Sequence, residues 1–535
     1  MQISRRNFIK TSAALTCAGA GFADINSGEP GSDDRINILI IHADQHRIEC
    51  LGAYGNRDIR TPNIDALAAE GVRYENSFCP YPVCTPSRYS LLSGQYVHQH
   101  QGWSNHCTLA PEILTFPKLL RNAGYSTCAV GKMHFTPTYL DVGFDAMFLS
   151  EQDGEGRWDD DYHRELMAAG MVDINDLEDQ RQEYRRHARK EYWETFGALP
   201  SNLPEEWHTT SWIGKHAVAT LEHWNGGGNL LMAGFVKPHH PFDPPVNRFE
   251  AYDPQALTLL PGWTESCLER DLKQHRGYFP NEKLTEKTLR KVMAGYYATI
   301  EHIDEQVGSM VETLKRKGLY DNTLIIYTSD HGEYMGFHHM LLKGNLLYDP
   351  LVKVPLIIKY PKRAGIKGGS VSDALVNNID LAPTILAQAG LPPTDSMRGH
   401  NLANAGNDRD VIFCESSRNR LAMARTQTKK LIWSQDEDTT YFFDLEKDPL
   451  ELQDLAAVPA CKDEIESLKE KINAWRPREI KMDTYLDENA PVIKQPNVPP
   501  RDKCAIPAVA ITPMPPALAT AEASPLFEIP TAIPP

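Results

Sequence analysis

The chain reads as an α/β protein with a mostly parallel central sheet flanked by helices, followed by a smaller C-terminal α+β subdomain. Three observations predict this. Ile36–Ile41 is an almost unbroken apolar run, as a strand covered on both faces requires. Similar short runs recur at Leu230–Phe235 and Thr323–Thr328, with helix-patterned segments between them. Polar residues follow these runs closely, at Asp44, Gly131-Lys132, Lys237-Pro238 and Asp330. Ligands of parallel sheets bind beyond the carboxyl ends of the strands, so one shared site is expected there.

In chain order, Asn63–Glu70 reads as a short helix closed by Gly71. Phe116–Ala123 is helical, ends at Gly124 and leads into a strand at Tyr125–Val130. After Leu230–Phe235, the stretch Glu282–Lys317 carries apolar positions at helical spacing and is closed by Gly318. Thr323–Thr328 and Val354–Lys359 are strands, and Asp380–Ala389 is a helix. Past Val411 the texture changes to short antiparallel strands (Leu421–Trp433, Thr440–Phe443) and an amphipathic helix, Lys462–Trp475. The expected domains are therefore a main domain over 35–410, a subdomain over 411–490 and a Pro/Ala-rich tail over 491–535. The charged, irregular stretch Glu151–Trp212 offers no readable code.

The 535 residues are enough for one large core and a satellite, since single cores stop growing at roughly 250–300 residues. A formal net charge of −16 argues against nucleic acid as a partner, yet allows a local positive pocket for a small anion. Ser4-Arg5-Arg6-Asn7-Phe8-Ile9-Lys10, followed by a mild apolar run to Ala23, reads as a twin-arginine signal over 1–23. The expectation is export by the twin-arginine (Tat) machinery to the periplasm or the extracellular space. Ten cysteines include no C-x-x-C pair, which speaks against a zinc ribbon or a thioredoxin-like site.

The sharpest local signal is Cys84-Thr85-Pro86-Ser87-Arg88, continued by Tyr89-Ser90-Leu91-Leu92-Ser93-Gly94. Pro86 suits the first turn of a helix, so Cys84 would sit at its positive end, with Arg88 one turn away on the same face. A nucleophile so placed is arranged to meet an oxyanion. Taken alone, the pair is better described as a buried structural Cys near a surface Arg.

The whole string resembles the C-x-P-x-R…S/T-G signature of the sulfatases, and further motifs of that family follow in order between Arg35 and Trp475. The resemblance implies an alkaline-phosphatase-like fold and oxidation of Cys84 to formylglycine by a formylglycine-generating or anaerobic sulfatase-maturating enzyme. A hydrated aldehyde can attack sulfur with one hydroxyl and expel sulfate by reforming the aldehyde with the other. A thiol has no such exit.

The resemblance also implies a divalent metal held by Asp44, Gln45, Cys84, Asp330 and His331. Calcium is the usual ion of the family. Gln45 and His331 depart from the commoner Asp and Asn, leaving two formal negative charges instead of three and improving the prospects of Mn2+ or Zn2+. That donor set is similar to those of choline-sulfatase and phosphonate monoester hydrolases. Gly131-Lys132-Met133-His134, Lys237-Pro238-His239-His240-Pro241-Phe242 and Lys343-Gly344-Asn345 match the family's sulfate-binding and proton-handling elements. By this resemblance Arg88, Lys132 and Lys343 neutralise sulfate, His239 or Lys343 protonates the leaving alcohol, and His134 takes the remaining hydroxyl proton. Asn105 is expected to contact substrate. Hydrolysis of a sulfated carbohydrate is the leading expectation. A phosphonate monoester or phosphodiester hydrolase, and a non-catalytic glycan-binding relative, are the alternatives.

Overall fold

The computed structural model describes residues 33–152, 160–272, 279–344, 346–404, 409–416, 420–436, 439–477, 485–487 and 489–493. The expected export signal, nearly all of the tail and Asn345 lie outside the described residues.

The main sheet has eight strands: β1 (Asn37–Ala43), β2 (Val72–Phe78), β3 (Ser126–Gly131), β4 (Ala146–Leu149), β5 (Asn229–Gly234), β6 (Thr323–Ser329), β7 (Leu356–Lys359) and β8 (Ser370–Asn377). Their order is β4-β3-β5-β1-β6-β7-β2-β8, with only β7 antiparallel to its neighbours. Helices α1 (Pro62–Glu70), α4 (Thr209–Glu222) and α5 (Glu286–Arg316) cover one face; α2 (Cys84–Ser93), α3 (Phe116–Asn122) and α6 (Leu381–Gln388) cover the other. The apolar run of β1 shows why: Leu39 and Ile41 enter one core, while Ile38 and Ile40 enter the opposite one. A side-chain period of two sends neighbours to opposite faces, and both faces here are dry.

A second, four-stranded antiparallel sheet comprises β9 (Ile412–Glu415), β10 (Leu421–Arg425), β11 (Lys429–Ser434) and β12 (Thr440–Asp444). Ala422, Ala424, Leu431 and Phe442 pack under α7 (Lys462–Trp475) through Ile465, Leu468 and Ile472. Its other face, with Cys414, Met423, Ile432 and Phe443, packs on the Leu346–Val354 stretch of the main body.

Several elements differ from the sequence expectation. Strand β2 alternates polar residues through its length, and β4 and β8 are sheet edges, so none shows a long apolar run. The Glu151–Trp212 stretch holds helices at Asp161–Ala168 and Ile174–Gln180, capped by Asp160 and Asp173 through the N–H groups of His163 and Asp176. Among the described residues, no helix is long and apolar enough to cross a membrane.

Candidate active site

Strand register delivers the site. Ala43 pairs with Ser329, so Asp44 and Asp330 leave β1 and β6 as neighbours. Gly131 pairs with Gly234, so Lys132 leaves β3 beside the end of β5, and Lys237 follows three residues after Gly234. Gly131 has φ +89°, and a Cβ there would lie 2.1 Å from the Gly234 carbonyl oxygen, so only glycine permits this approach. Helix α2 then brings Cys84 underneath.

Cys84 is wholly buried. Its Sγ lies 3.0 Å from Lys343 Nζ, 3.3 Å from His331 Nε2 and 3.5 Å from Asp44 Oδ1. One donor atom from each of Asp44, Cys84, Asp330 and His331 lies within 4.8 Å of the others, and all four residues are buried. His331 Nδ1 is 2.9 Å from the Gly332 carbonyl oxygen. A carbonyl can only accept, so Nδ1 carries the proton and Nε2 turns a lone pair toward Asp44 Oδ1 at 3.7 Å and Asp330 Oδ1 at 3.8 Å. Gln45 adds a buried Oε1 with no hydrogen-bond partner among the described residues. Its Nε2 donates to Glu333, whose carboxylate also accepts from the N–H groups of Met335 and Leu342. Two carboxylates and an imidazole nitrogen thus meet at Cys84, with the unpartnered Gln45 amide oxygen on the residue next to Asp44. The donor set fits a divalent cation with mixed oxygen and nitrogen ligands.

Positive groups surround this cluster. Lys132 Nζ donates to Asp44 at 2.8 Å and to Gln152 Oε1 at 3.2 Å. Burial works against charge on Asp44, but the surrounding cations, Lys132 foremost, hold its carboxyl well below the ordinary range. Arg88 is committed elsewhere than the sequence suggested. Its Nε donates to Asp330 at 3.1 Å, Nη2 to Asp44 at 3.0 Å and Nη1 to the Lys132 carbonyl at 2.7 Å. It ties the two carboxylates together. Asn105 Oδ1 accepts the Thr85 N–H at 3.1 Å, so it caps the start of α2 beside Cys84.

His239 Nε2 is 3.1 Å from Lys343 Nζ, and its Nδ1 is 2.7 Å from the His240 carbonyl oxygen. By the same reasoning as for His331, Nδ1 holds the proton and Nε2 accepts from the lysine. Burial, followed by neighbouring positive groups, keeps His239 and His134 well below the usual histidine value, so both are neutral. His134 has φ +59° and a buried Nδ1 without a partner among the described residues. Glu151 holds it in that backbone shape by accepting the N–H groups of Met133 and His134 at 2.9 and 3.0 Å. The structure therefore gathers Cys84, Arg88, Lys132, His134, His239, Lys343 and the proposed ligands into one cluster.

Glu333, Glu151 and Gln152 were not anticipated as site residues. Glu333 lies inside the Ser329–Glu333 motif, whereas Glu151 and Gln152 follow β4. The strand-end rule that flagged Asp44 would have flagged them too, had so short an edge strand been legible.

Residues 36–391 match the family model described as Sulfatase, and residues 336–478 match N-sulphoglucosamine sulphohydrolase, C-terminal. An arylsulfatase of Clostridium perfringens is 30% identical over 468 residues, covering 81% of this chain and 92% of the relative. An N-acetylglucosamine-6-O-sulfatase of Bacteroides thetaiotaomicron is 28% identical over 487 residues, covering 82% and 86%. The solved phosphonate monoester hydrolase of Agrobacterium radiobacter shares the fold with a TM-score of 0.70 at 24% identity, covering 83% of this chain and 95% of that one. With the family model matching residues 36–391, and the sequence motifs of the resemblance gathered around Cys84, the chain belongs to the sulfatase family and is a sulfuric ester hydrolase.

Proposed function

We propose that the protein is an exported sulfatase acting on sulfated carbohydrates, with formylglycine made from Cys84 as its nucleophile and a divalent cation, Ca2+ first among candidates, at the adjoining donors. The observation that carries this reading is the setting of Cys84. Burial, then Asp44, pushes its thiol up to about 11 in the protein alone. A thiol attacking sulfur here would form an adduct with no easy exit, whereas a hydrated aldehyde at the same position meets the cation site and the Lys343 ammonium and can expel sulfate by reforming the aldehyde. Maturation by a formylglycine-forming enzyme follows from this reading.

Asp44, Gln45, Asp330 and His331, with position 84, would hold the metal, which supplies Lewis-acid polarisation of a sulfate oxygen. Arg88 ties the two carboxylates together in one orientation. Lys132 and Lys343 meet the charge that grows on the sulfate oxygens; loss of one such donor typically costs about 2.7–4 kcal/mol in the barrier. Lys343 carries the proton that the leaving alcohol takes, because neutral His239 turns an accepting Nε2 toward it. His134, neutral and with Nδ1 unengaged, accepts the proton of the second hydroxyl.

A carbohydrate substrate is supported by the names of relatives: the N-acetylglucosamine-6-O-sulfatase above and an ulvan-active sulfatase of Formosa agariphila. A solved complex with D-glucosamine-2-N,6-O-disulfate also has a TM-score of 0.62 at 25% identity. Intact-mass analysis of the peptide containing Cys84 tests the nucleophile, since conversion lowers its mass by about 18 Da. An unconverted thiol in enzyme that turns over sulfate esters sinks the formylglycine reading. Fractionation of a producing cell, with and without residues 1–23, tests export. The donor set containing Gln45 and His331 favours a second reading, phosphonate monoester or phosphodiester hydrolysis at the same centre. Matched aryl sulfate and aryl phosphonate substrates separate the two by their kcat/KM ratio.

A further inference from the structure

We infer that Asp179 and His240 are positioning residues that aim the Lys343–His239 pair at the leaving oxygen, fitting the site to sulfate esters of poorly activated alcohols. This rests on the sulfatase reading above.

The pair is held from behind, through a chain of contacts. The rings of His239 and His240 stack with centroids 4.1 Å apart and planes 28° from parallel. The His240 carbonyl accepts His239 Nδ1 at 2.7 Å and Gln152 Nε2 at 2.8 Å, so one oxygen fixes both the tautomer and the tilt of His239. The His240 ring is itself held by Asp179, whose Oδ2 is 2.5 Å from Nδ1. Asp179 is wholly buried, lies in the last turn of the helix Ile174–Gln180 and also accepts from Tyr192. Burial pushes its carboxyl up, yet His240, Arg185 and Tyr192 together outweigh this and hold the group below its ordinary value. From Asp179 the chain runs through His240, His239 and Lys343 to Cys84 Sγ, 3.0 Å from Lys343 Nζ.

Such bracing matters only for a demanding leaving group. As the S–O bond breaks, the departing oxygen keeps the bonding pair. Lys343 Nζ gives it a proton, an O–H bond forms and nitrogen retains its own pair. A nitrophenolate leaves without that proton, whereas a sugar alkoxide is far too basic to do so, and its barrier depends on how well the acid is aimed.

The test is a series of substituted phenyl sulfates, from 4-nitrophenyl to 4-methoxyphenyl, with full-length matured enzyme and its Asp179→Asn and His240→Asn variants. The second variant keeps the backbone carbonyl and loses the ring that stacks on His239 and reaches Asp179, so it serves if Asp179→Asn fails to fold. We expect kcat on 4-nitrophenyl sulfate within about two-fold of wild type and a loss of roughly 10–100-fold on 4-methoxyphenyl sulfate. That steepened dependence on the leaving group should be partly restored by Asp179→Glu. An equal loss across the series, or none, overturns the positioning role. A wild-type enzyme inert on every member and on sulfated sugars alike instead sinks the sulfatase reading beneath it.

Discussion

Helices α2 and α7 are buried by opposite means. All ten residues of α2 are buried, and half of them are polar or charged: Thr85, Ser87, Arg88, Ser90 and Ser93. Each finds a partner: Thr85 the His134 carbonyl, Ser87 the Asp330 carbonyl, Ser90 the His100 ring, Ser93 the Tyr89 carbonyl, and Arg88 two carboxylates. Helix α7 instead lays an apolar stripe, Ile465, Leu468 and Ile472, on the second sheet and exposes most of its other positions. One helix is held by satisfied polar groups that also build the site, the other by area removed from water. Damage to α2 should therefore appear in chemistry and stability together, and damage to α7 in stability alone.

The largest break is at the first residue of α2. Cys84→Ala should abolish turnover of 4-nitrophenyl sulfate, and Cys84→Ser should leave little, because serine cannot regenerate an aldehyde. Near-normal rates in either variant would refute the role given to position 84. Next comes Arg88→Met, which leaves Asp44 and Asp330 buried without their shared partner. Removing one member of a buried ion pair costs about 3–5 kcal/mol, so a large fall in Tm is expected, together with altered metal content by elemental analysis. A variant with unchanged Tm and metal content would mean that the carboxylates do not depend on Arg88. On the other helix, Ile472→Ala should cost about 2–5 kcal/mol by denaturant unfolding, with kcat per folded molecule unchanged. A matching loss of kcat there would erase the contrast between the two helices.

The same contrast explains what the sequence made legible. Periodicity records burial by apolar residues, so α7, β1 and α5 could be read with boundaries within a few residues. It is silent on burial by polar partners. Helix α2 was visible through Pro86 at its first turn and a string that resembles a known motif, and even then Arg88 looked like a sulfate ligand. Nothing local to Arg88 reveals that Asp44 and Asp330 meet it in space. Strand β2, with Arg73, Glu75 and Asn76 along it, and the cap-started helices after Asp160 and Asp173 went unread for the same reason. So did Glu151, Asp179 and His240 as a supporting layer, since each acts through a neighbour rather than through its own motif.

The smallest expected effect tests whether the polar side of the comparison responds to pH as the apolar side cannot. Glu151 is buried behind Lys132–His134, the turn to which α2 is tied through Thr85. Burial raises its carboxyl to about 7 in the folded protein, against 4.5 for the free side chain. Between those values the folded state binds more protons than the unfolded one. This contribution to stability is therefore fully present below the unfolded value and lost as pH rises through the folded one. Glu151→Gln keeps an oxygen acceptor for the Met133 and His134 N–H groups and carries no charge. Its stability relative to wild type should increase from pH 5 to pH 8, by on the order of 1–3 kcal/mol, and level off above. For Ile472→Ala the difference from wild type should stay flat over the same range, because no titrating group has changed. A flat Glu151→Gln difference, or one of opposite slope, would show that Glu151 is already ionised in the native protein and that the network around α2 carries its charge without cost.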